Sequence, residues 1–492
     1  MPVCLAPAAF ALWHKDKQFP WQRQGKLDTM IRSCMPKGAN LQKIYRIACY
    51  LCAHQSCIKV RTIIMSMKQS HILWIVILIA FLPMILLRDL TPDNELRYVH
   101  IAESALRSGN LFAFTLNGEP YADKPPFYIW LIILCRLISG KYLVWELSLL
   151  SFIPAVIITH TMEKWMGTGL TDKERITARL MLMSSVYFIA ASIVARMDML
   201  MSMFIILALY TFWKRYQHQG TGKDRWLFPI YLFLAVFTKG PLGLLIPLVS
   251  IVGFLVYKHQ GKQFLHYWDL RTWIVLIIGC AIWFTASYQE GGSAYMYDLF
   301  LHQTFGRAFH AFHHEQPFYF YLISIWYELA PWSLLVVAII VECVRRHLQL
   351  SDLQKFMLCS VVLSFLLLSV ISAKLPIYLL PTFPFAVFLT VSLMSRFADR
   401  KWVRICIGIP AALLCLVFPA IALGYTLLSF PILGNGLIWM AAACFSFSGA
   451  RTLYQLRHDH SFTDPLRTLA VGMFLALFFI GCAMPALNPL LS

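Results

Sequence analysis

Beyond residue 70 the chain alternates between long apolar runs and short polar turns. A helix needs about 20 apolar residues to cross a hydrocarbon core. The runs 71–88, 143–162, 176–195, 199–213, 226–239, 241–257, 272–288, 321–341, 355–372, 376–394, 403–424, 432–449 and 466–485 predict about thirteen such spans. Counted from a cytoplasmic N-terminus, the inner turns hold Lys164, Lys173, Arg175, Lys214, Arg215, Lys223, Arg225, Lys258, Lys262 and Arg271. Further along they hold Arg345, Arg346, Lys355, Arg396, Arg400, Lys401, Arg404, Arg451, Arg457 and Arg467. The outer turns hold only Arg97, Arg107, Lys124, Arg136, Lys141, Arg196, Lys239, Arg307 and Lys374. Cations collect on the cytoplasmic side of membrane proteins, so the pattern predicts an all-α polytopic bundle with its N-terminus in and its C-terminus out. Segment 124–141 is apolar but short, carries Arg136, and starts rich in Tyr and Trp. Counting it as a span would put the basic turns outside, and it reads as an amphipathic helix in the outer interface.

Composition agrees with a bilayer as solvent. Of 492 residues, 59% are hydrophobic and 13% charged, against roughly 25% charged in soluble proteins, and the mean hydropathy is +0.65. The formal charge of +18 is not a nucleic-acid signal. Much of it lies in residues 1–64 and the rest in juxtamembrane turns, with no basic stretch interleaved with aromatics. The cysteines within the apolar runs sit singly, as small hydrophobes do. The first 64 residues contain neither a spanning run nor a signal-peptide pattern. Cys49, Cys52, His54 and Cys57 have zinc-ligand residue types, but no second ligand pair follows. Residues 1–66 are therefore expected to be a non-native or disordered basic extension, with the membrane protein starting at Met65 or Met67. A catalytic membrane module is expected over 67–394, with outer loops 89–142 and 289–320, and further transmembrane helices over 395–492.

The polar residues that are not topology signals lie on the outer side. Loop 89–142 opens with Pro92-Asp93-Asn94-Glu95, a helix start with acid in the first turn. Leu96, Val99, Ile101, Ala102, Ala105 and Leu106 then give a short surface helix its apolar face, and Gly109 ends it. Locally, Asp93 and Glu95 serve as cap and dipole partner as readily as anything else. Arg196 and Asp198, within Val-Ala-Arg-Met-Asp-Met-Leu, have apolar neighbours on both sides, where a charge is expected to be paired or functional. Lys239 precedes Gly240-Pro241 and Lys374 stands in Ala-Lys-Leu-Pro-Ile-Tyr. Taken singly, each is a snorkelling lysine. Together, Lys124, Arg196, Lys239 and Lys374 put fixed cations on a face that should lack them, as binding of a lipid-linked phosphate requires. Loop 289–320 carries Glu290, Asp298, His302, Arg307, His310, His313, His314 and Glu315. His310, His313 and Glu315 have ligand types for a divalent metal, but a substrate-lining loop is the stronger reading, and no metal or other cofactor is assigned.

These outer-face residues resemble the GT-C membrane glycosyltransferases over about residues 70–390, with the lipid A aminoarabinose transferases and the protein O-mannosyltransferases as the nearest branches. The resemblance is carried by Asp93-Asn94-Glu95-Leu96-Arg97-Tyr98, by Asn117-Gly118-Glu119-Pro120-Tyr121-Ala122-Asp123-Lys124-Pro125-Pro126, and by Ala195-Arg196-Met197-Asp198. Thr238-Lys239-Gly240, Gln316-Pro317-Phe318-Tyr319, Pro331-Trp332 and Lys374-Leu375-Pro376-Ile377-Tyr378 follow in the family order. It implies a bundle with outer juxtamembrane helices in a bacterial inner membrane. It also implies transfer of sugar from a polyprenyl-phosphate donor to lipid A or another envelope glycolipid at the outer face. Asp93 or Glu95, with Asp123 and Asp198, would be the catalytic acids, and Lys124, Arg196, Lys239 and Lys374 would hold the donor phosphate. The family pattern Asp-Glu-x-Arg-Tyr is one residue shorter than Asp93-Asn94-Glu95-Leu96-Arg97-Tyr98 here. Without a gap its Asp falls on Asn94, and with one inserted residue Asp93 keeps the place. The alternatives are a protein O-glycosyltransferase and, in another class, a lipid-linked-sugar transporter. A transporter would show internal repeats and ionisable residues at mid-depth.

A reporter fused after Gly220 should be cytoplasmic, and one fused after Gly291 should lie on the outer side. Both reporters on one side would break the predicted order of spans.

Overall fold

The computed structural model describes residues 72–299, 315–428, 434–458 and 461–491. The basic extension with Cys49, Cys52, His54 and Cys57, the start at Met65 or Met67, and the loop cluster His302, Arg307, His310, His313 and His314 lie outside these residues. Each predicted span falls on helix. The first six are α1 (Ile72–Leu87), α4 (Val144–Met166), the pair α5 (Asp172–Met183) and α6 (Val186–Ile193), α7 (Met197–Tyr216), α8 (Asp224–Lys239) and α9 (Leu242–Tyr257). Then come α10 (Leu270–Tyr297), the pair α11 (Phe320–Glu328) and α12 (Ser333–Arg345), α13 (Asp352–Val370) and α14 (Phe383–Met394). The last are α15 (Lys401–Cys415) with α16 (Val417–Leu428), α17 (Gly436–His458) and α18 (Thr463–Leu491). Among the described residues, seven helices are long and apolar enough to cross a membrane, or eight if α5 and α6 form one span bent by 67°.

Two departures from uniform spans bear on function. The run 321–341 is broken between α11 and α12, where the N–H of Val186 at the start of α6 donates to Ala330 O (2.9 Å). The run 376–394 enters as a tight turn, Pro376–Thr382, before α14. Prolines at 376 and 381 withhold the amide hydrogens that a regular first turn would use.

Helix α7 and the segment Pro376–Phe397 are the most buried spans and form the centre of the core. Helix α10 and the pair α15–α16 are the least buried, and on α1 the face Ile75, Leu78, Ile79, Leu82 and Leu86 is exposed. Apolar side chains pointing out of a bundle mark the surface that hydrocarbon wets. Several helices start at the predicted cytoplasmic end with polar caps: Thr171 with Glu174, Ser351 with Gln354, and Asp269 on the amide of Thr272. A buried pair, Arg179 to Glu163 at 2.6 Å, lies below, with Trp74 stacked 4.5 Å from the guanidinium. The last helix closes the bundle onto the first: Asn488 Nδ2 donates to Leu87 O (3.0 Å), and Phe81 packs on Phe474.

The first outer loop is a folded layer. Helix α2 (Arg97–Ser108) buries Tyr98, Val99, Ile101, Ala102 and Ala105 and ends at Gly109 in the left-handed region (φ 78°), as the sequence predicts. A two-residue hairpin follows, pairing Thr115 with Pro120 and Leu116 with Glu119. Asn117 and Gly118 both have positive φ (54° and 87°), as the turn that suits strand twist demands. Helix α3 (Phe127–Ser139) packs beside α2 and buries Tyr128, Ile129, Ile132 and Ile133. The end of α10 ties down this layer: Glu290 Oε2 accepts from the amides of Phe112 (2.6 Å) and Ala113 (2.8 Å), and Tyr295 donates to Tyr121 O (3.1 Å).

The turn between α8 and α9 depends on close approach. A Cβ at Gly243 would lie 2.4 Å from the Ala235 backbone carbon. Overpacking of this kind costs about 1–3 kcal/mol, so Gly243→Val should lower the melting temperature of purified protein and displace the turn carrying Lys239. An unchanged melting temperature would show that the two helices can separate freely.

Candidate active site

The chain leaves α1 at Arg88 and enters α2 through a wide turn over Pro92–Leu96, in which the Leu96 amide bonds back five residues to Thr91 O (3.2 Å). Such a turn holds one residue more than an α-helical turn, and insertions of this type cluster at functional sites. Thr91 stands at the N-cap position, and Glu95 reaches back to accept from its N–H (2.8 Å) and its hydroxyl (3.1 Å). A capping box places the acid three residues on, and the extra residue here makes it four. The helix start therefore lies at Thr91 and not within Asp93-Asn94.

Glu95 has a second set of partners. Its carboxylate is buried and takes two parallel bonds from the Arg88 guanidinium (2.6 and 2.7 Å) and one from the Ala195 amide (2.5 Å). Arg88 also donates to Ser148 Oγ on α4 (2.8 Å) and to Ile193 O (2.9 Å). This fork-on-fork pair joins α1, the turn into α2, α4 and segment 193–196 at one point. Burial alone would push the Glu95 carboxyl up, but Arg88 and the Thr91 and Ala195 amides hold it below the ordinary glutamate value. Arg88 was not among the residues predicted from sequence. Its signal was a cation at the outer end of a span, against the sidedness trend.

Segment 193–196 leads directly into the charged cluster. Asp198 lies in the first turn of α7, whose positive end suits an anion, and it is buried. It pairs with Lys239 Nζ at the end of the antiparallel α8 and with Arg196 Nε (3.4 Å). Lys239 also lies over the Tyr378 ring, 4.4 Å from its centroid. Lys124 lies within electrostatic reach of both Asp198 and Lys239, and its own loop partner is Asp123 (3.5 Å). The Tyr121 hydroxyl donates to Asp123 (3.4 Å). Tyr98, on the buried face of α2, feels Asp198, Arg196, Arg97 and Asp123 together. Burial first, and Asp198 next, push its phenol up to about 12, while burial and then Asp123 raise Tyr121 well above its usual value. The surroundings are thus dry enough to strengthen every charge interaction in them.

Of the predicted site residues, Asp123, Lys124, Arg196, Asp198 and Lys239 are brought together. Glu95 stands behind them, saturated by bonds from Arg88, Thr91 and Ala195. Asp93 lies on the wide turn. Lys374 is buried, but its ammonium donates to Gln316 O (2.8 Å), where it helps to tie strap 371–375 to the end of the second outer loop. From that strap region Tyr378, not Lys374, meets Lys239. The motif contained this tyrosine, but nothing in the sequence indicated that its ring would face the lysine. Among the described residues no group of three or more His, Cys, Asp or Glu could hold a metal ion.

No protein-family model matches the sequence. The chain is 27% identical over 312 residues to an uncharacterised protein of Aquifex aeolicus. It is 24% identical over 320 residues to an undecaprenyl phosphate-alpha-4-amino-4-deoxy-L-arabinose arabinosyl transferase of Shewanella sediminis. These matches cover 63% and 64% of this chain but only 60% and 58% of those relatives' own lengths. The transferase of the same description from Pseudomonas savastanoi is 25% identical over 431 residues, covering 85% of this chain and 78% of the relative. Among solved structures, ArnT from Cupriavidus metallidurans bound to undecaprenyl phosphate superposes with a TM-score of 0.68 at 17% identity, over 85% of this chain and 77% of the other. The apo form of the same protein also gives 0.68, at 16% identity. In sequence and in architecture, this chain resembles the aminoarabinose transferases of the GT-C membrane glycosyltransferase fold.

Proposed function

We propose that this integral membrane protein is a glycosyltransferase. It moves a sugar from a polyprenyl-phosphate donor to lipid A or another envelope glycolipid, at the outer face of a bacterial inner membrane. The observation that carries this reading is the convergence of Lys124, Arg196 and Lys239 on two carboxylates, Asp123 and Asp198, from three separate turns. A half-buried cluster richer in cations than in acids suits a phosphate. The proposed topology has thirteen spans, N-terminus in and C-terminus out, which puts the cluster on the periplasmic side.

In the proposed reaction the bond from sugar C1 to the phosphate oxygen breaks, and the electron pair leaves with the phosphate. Lys124, Arg196 and Lys239 stabilise the charge that develops on that leaving group. The acceptor hydroxyl attacks C1 and gives up its proton to a carboxylate. Asp93 takes that proton. Saturation argues against Glu95, whose carboxylate already accepts from five donors. The wide turn also absorbs the extra residue that lets Asp93 keep the acid's place. Asp198 holds Arg196 and Lys239 in position, Asp123 holds Lys124, and Lys374 secures the strap that carries Tyr378.

Lys124→Ala should reduce transfer in isolated membranes by on the order of 10²–10³, the usual loss for one such contact. Wild-type rates in that variant would remove Lys124 from the site. Asp93→Asn should abolish transfer at normal melting temperature. Glu95→Gln should lower melting temperature and activity together, because breaking a buried pair costs about 3–5 kcal/mol. A Glu95→Gln protein of full stability and no activity would reverse the two roles. Glu95 is held below its ordinary value, so its stabilisation is complete above that value and is lost as pH falls through the depressed one. The stability gap between wild type and Glu95→Gln should therefore close on acidification.

A further inference from the structure

Helix α17 turns one stripe of side chains away from the core. Ala443, Phe447, Arg451 and Gln455 recur at every fourth position and so share a face about 18 Å long. On α18, Thr468, Val471 and Leu475 form a matching face at i, i+3 and i+7. The two helices touch at the floor between these faces. A Cβ at Gly472 would lie 2.1 Å from Ser448 Cβ, and Thr452 Oγ1 donates to Pro465 O (3.3 Å). Above that contact the two faces line an open groove of about 630 Å³.

The groove is graded along its length. Ala443, Phe447, Val471 and Leu475 make one end apolar, and all four are exposed. Arg451, Gln455, Arg467 and Thr468 make the other end polar, next to the turn that joins the helices. Arg451 is exposed beside the Tyr454 ring (5.5 Å) and makes no ion pair among the described residues. Gln455 Oε1 is buried and accepts no hydrogen bond there, so this side chain has bonding capacity left over. Arg467 donates to Thr177 Oγ1 (3.1 Å) and Lys173 O (2.8 Å) at the start of α5, with Asp464 3.6 Å away. This end lies opposite the cation cluster. Helix α4 begins beside Arg88 and Val194 through Ser148 and Ser151, and Lys173 lies just past its far end. The proposed topology makes this the cytoplasmic side. From Arg451 to Ala443 the groove runs about 12 Å along the helix, within the roughly 15 Å depth of one leaflet.

We propose that this groove binds one anionic phospholipid of the cytoplasmic leaflet. Its phosphate sits on Arg451 and Arg467, Gln455 bonds to the headgroup, and one acyl chain runs past Phe447 and Leu475 towards Ala443. Charge complementarity selects the headgroup. Basic pockets between helices at the cytoplasmic face attract anionic lipid, whereas a zwitterionic lipid brings its own cation against the arginines. The apolar end selects a lipid over a free phosphate. Through Arg467, the headgroup extends a bonded chain from α17 to α5. The site is separate from the transferase reading and stands without it.

The test is native mass spectrometry of the purified full chain, offered dioleoyl phosphatidylglycerol and dioleoyl phosphatidylethanolamine in equal amounts. The readout is the ratio of the two single-lipid adducts. Wild type should favour phosphatidylglycerol, and Arg451→Gln should lower the ratio roughly fivefold, the worth of one cation near an anionic headgroup. Arg457→Gln removes an exposed cation from the same helix outside the groove and should leave the ratio unchanged. Ala443→Trp fills the apolar end while keeping both arginines, and should lose the phosphatidylglycerol adduct. Residues 443 and 451 are exposed, so neither substitution disturbs the core. No preference in wild type, or equal losses in the two arginine variants, would overturn the site. So would a dimer that Ala443→Trp dissociates, since a second copy of the chain would then cover the groove.

Discussion

The end of the bundle that carries loop 89–142 depends on one buried ion pair. Arg88 and Glu95 meet where the first span ends, and between them they bond to α4, to segment 193–196 and to the turn that starts α2. Removing either partner would leave a charge in a dry interior, at a cost of several kcal/mol. The geometry makes the pair more than a stabiliser. Asp93 lies two residues from Glu95, and Arg196 follows Ala195, whose amide Glu95 holds. The acid loop and the start of the cation cluster are thus set relative to each other by one carboxylate.

A second constraint runs through the helix ends. The antiparallel course of α7 and α8 puts the positive end of one beside the negative end of the other, and Asp198 and Lys239 occupy the positions those dipoles favour. Their pairing costs little in local structure and leaves a surplus of cations from the neighbouring turns. The folded first loop closes over this floor through its Asn117-Gly118 hairpin, which sets the direction of the chain into Asp123 and Lys124.

Much of this was legible in the residues. Hydropathy located the helices, because apolar length is dictated by the bilayer and not by neighbours. Gly109 and Asn117-Gly118 announced a helix end and a tight turn through backbone chemistry that acts locally. Lys124, Arg196 and Lys239 stood out because they broke the sidedness trend. What was not legible depends on contacts distant in sequence. Asp198 and Lys239 are 41 residues apart, and no spacing rule joins them. The role of Glu95 was hidden because a cap, a catalytic acid and an ion-pair partner ask for the same residue type. Only the wide turn and the Arg88 guanidinium separate these roles. The 321–341 run looked continuous because the break at 329–332 is itself apolar. Lys374 had the right company in sequence, but its ammonium is claimed by a backbone carbonyl.

The central claim, that this chain transfers a sugar to an envelope glycolipid, is tested most directly by mass spectrometry of lipid A from otherwise identical cells with and without the gene. The account predicts a lipid A or other envelope-glycolipid species heavier by one sugar that is present only when the gene is. Identical spectra of lipid A and of the other envelope glycolipids, with the protein present in the membrane and the lipid-linked donor available, would contradict it.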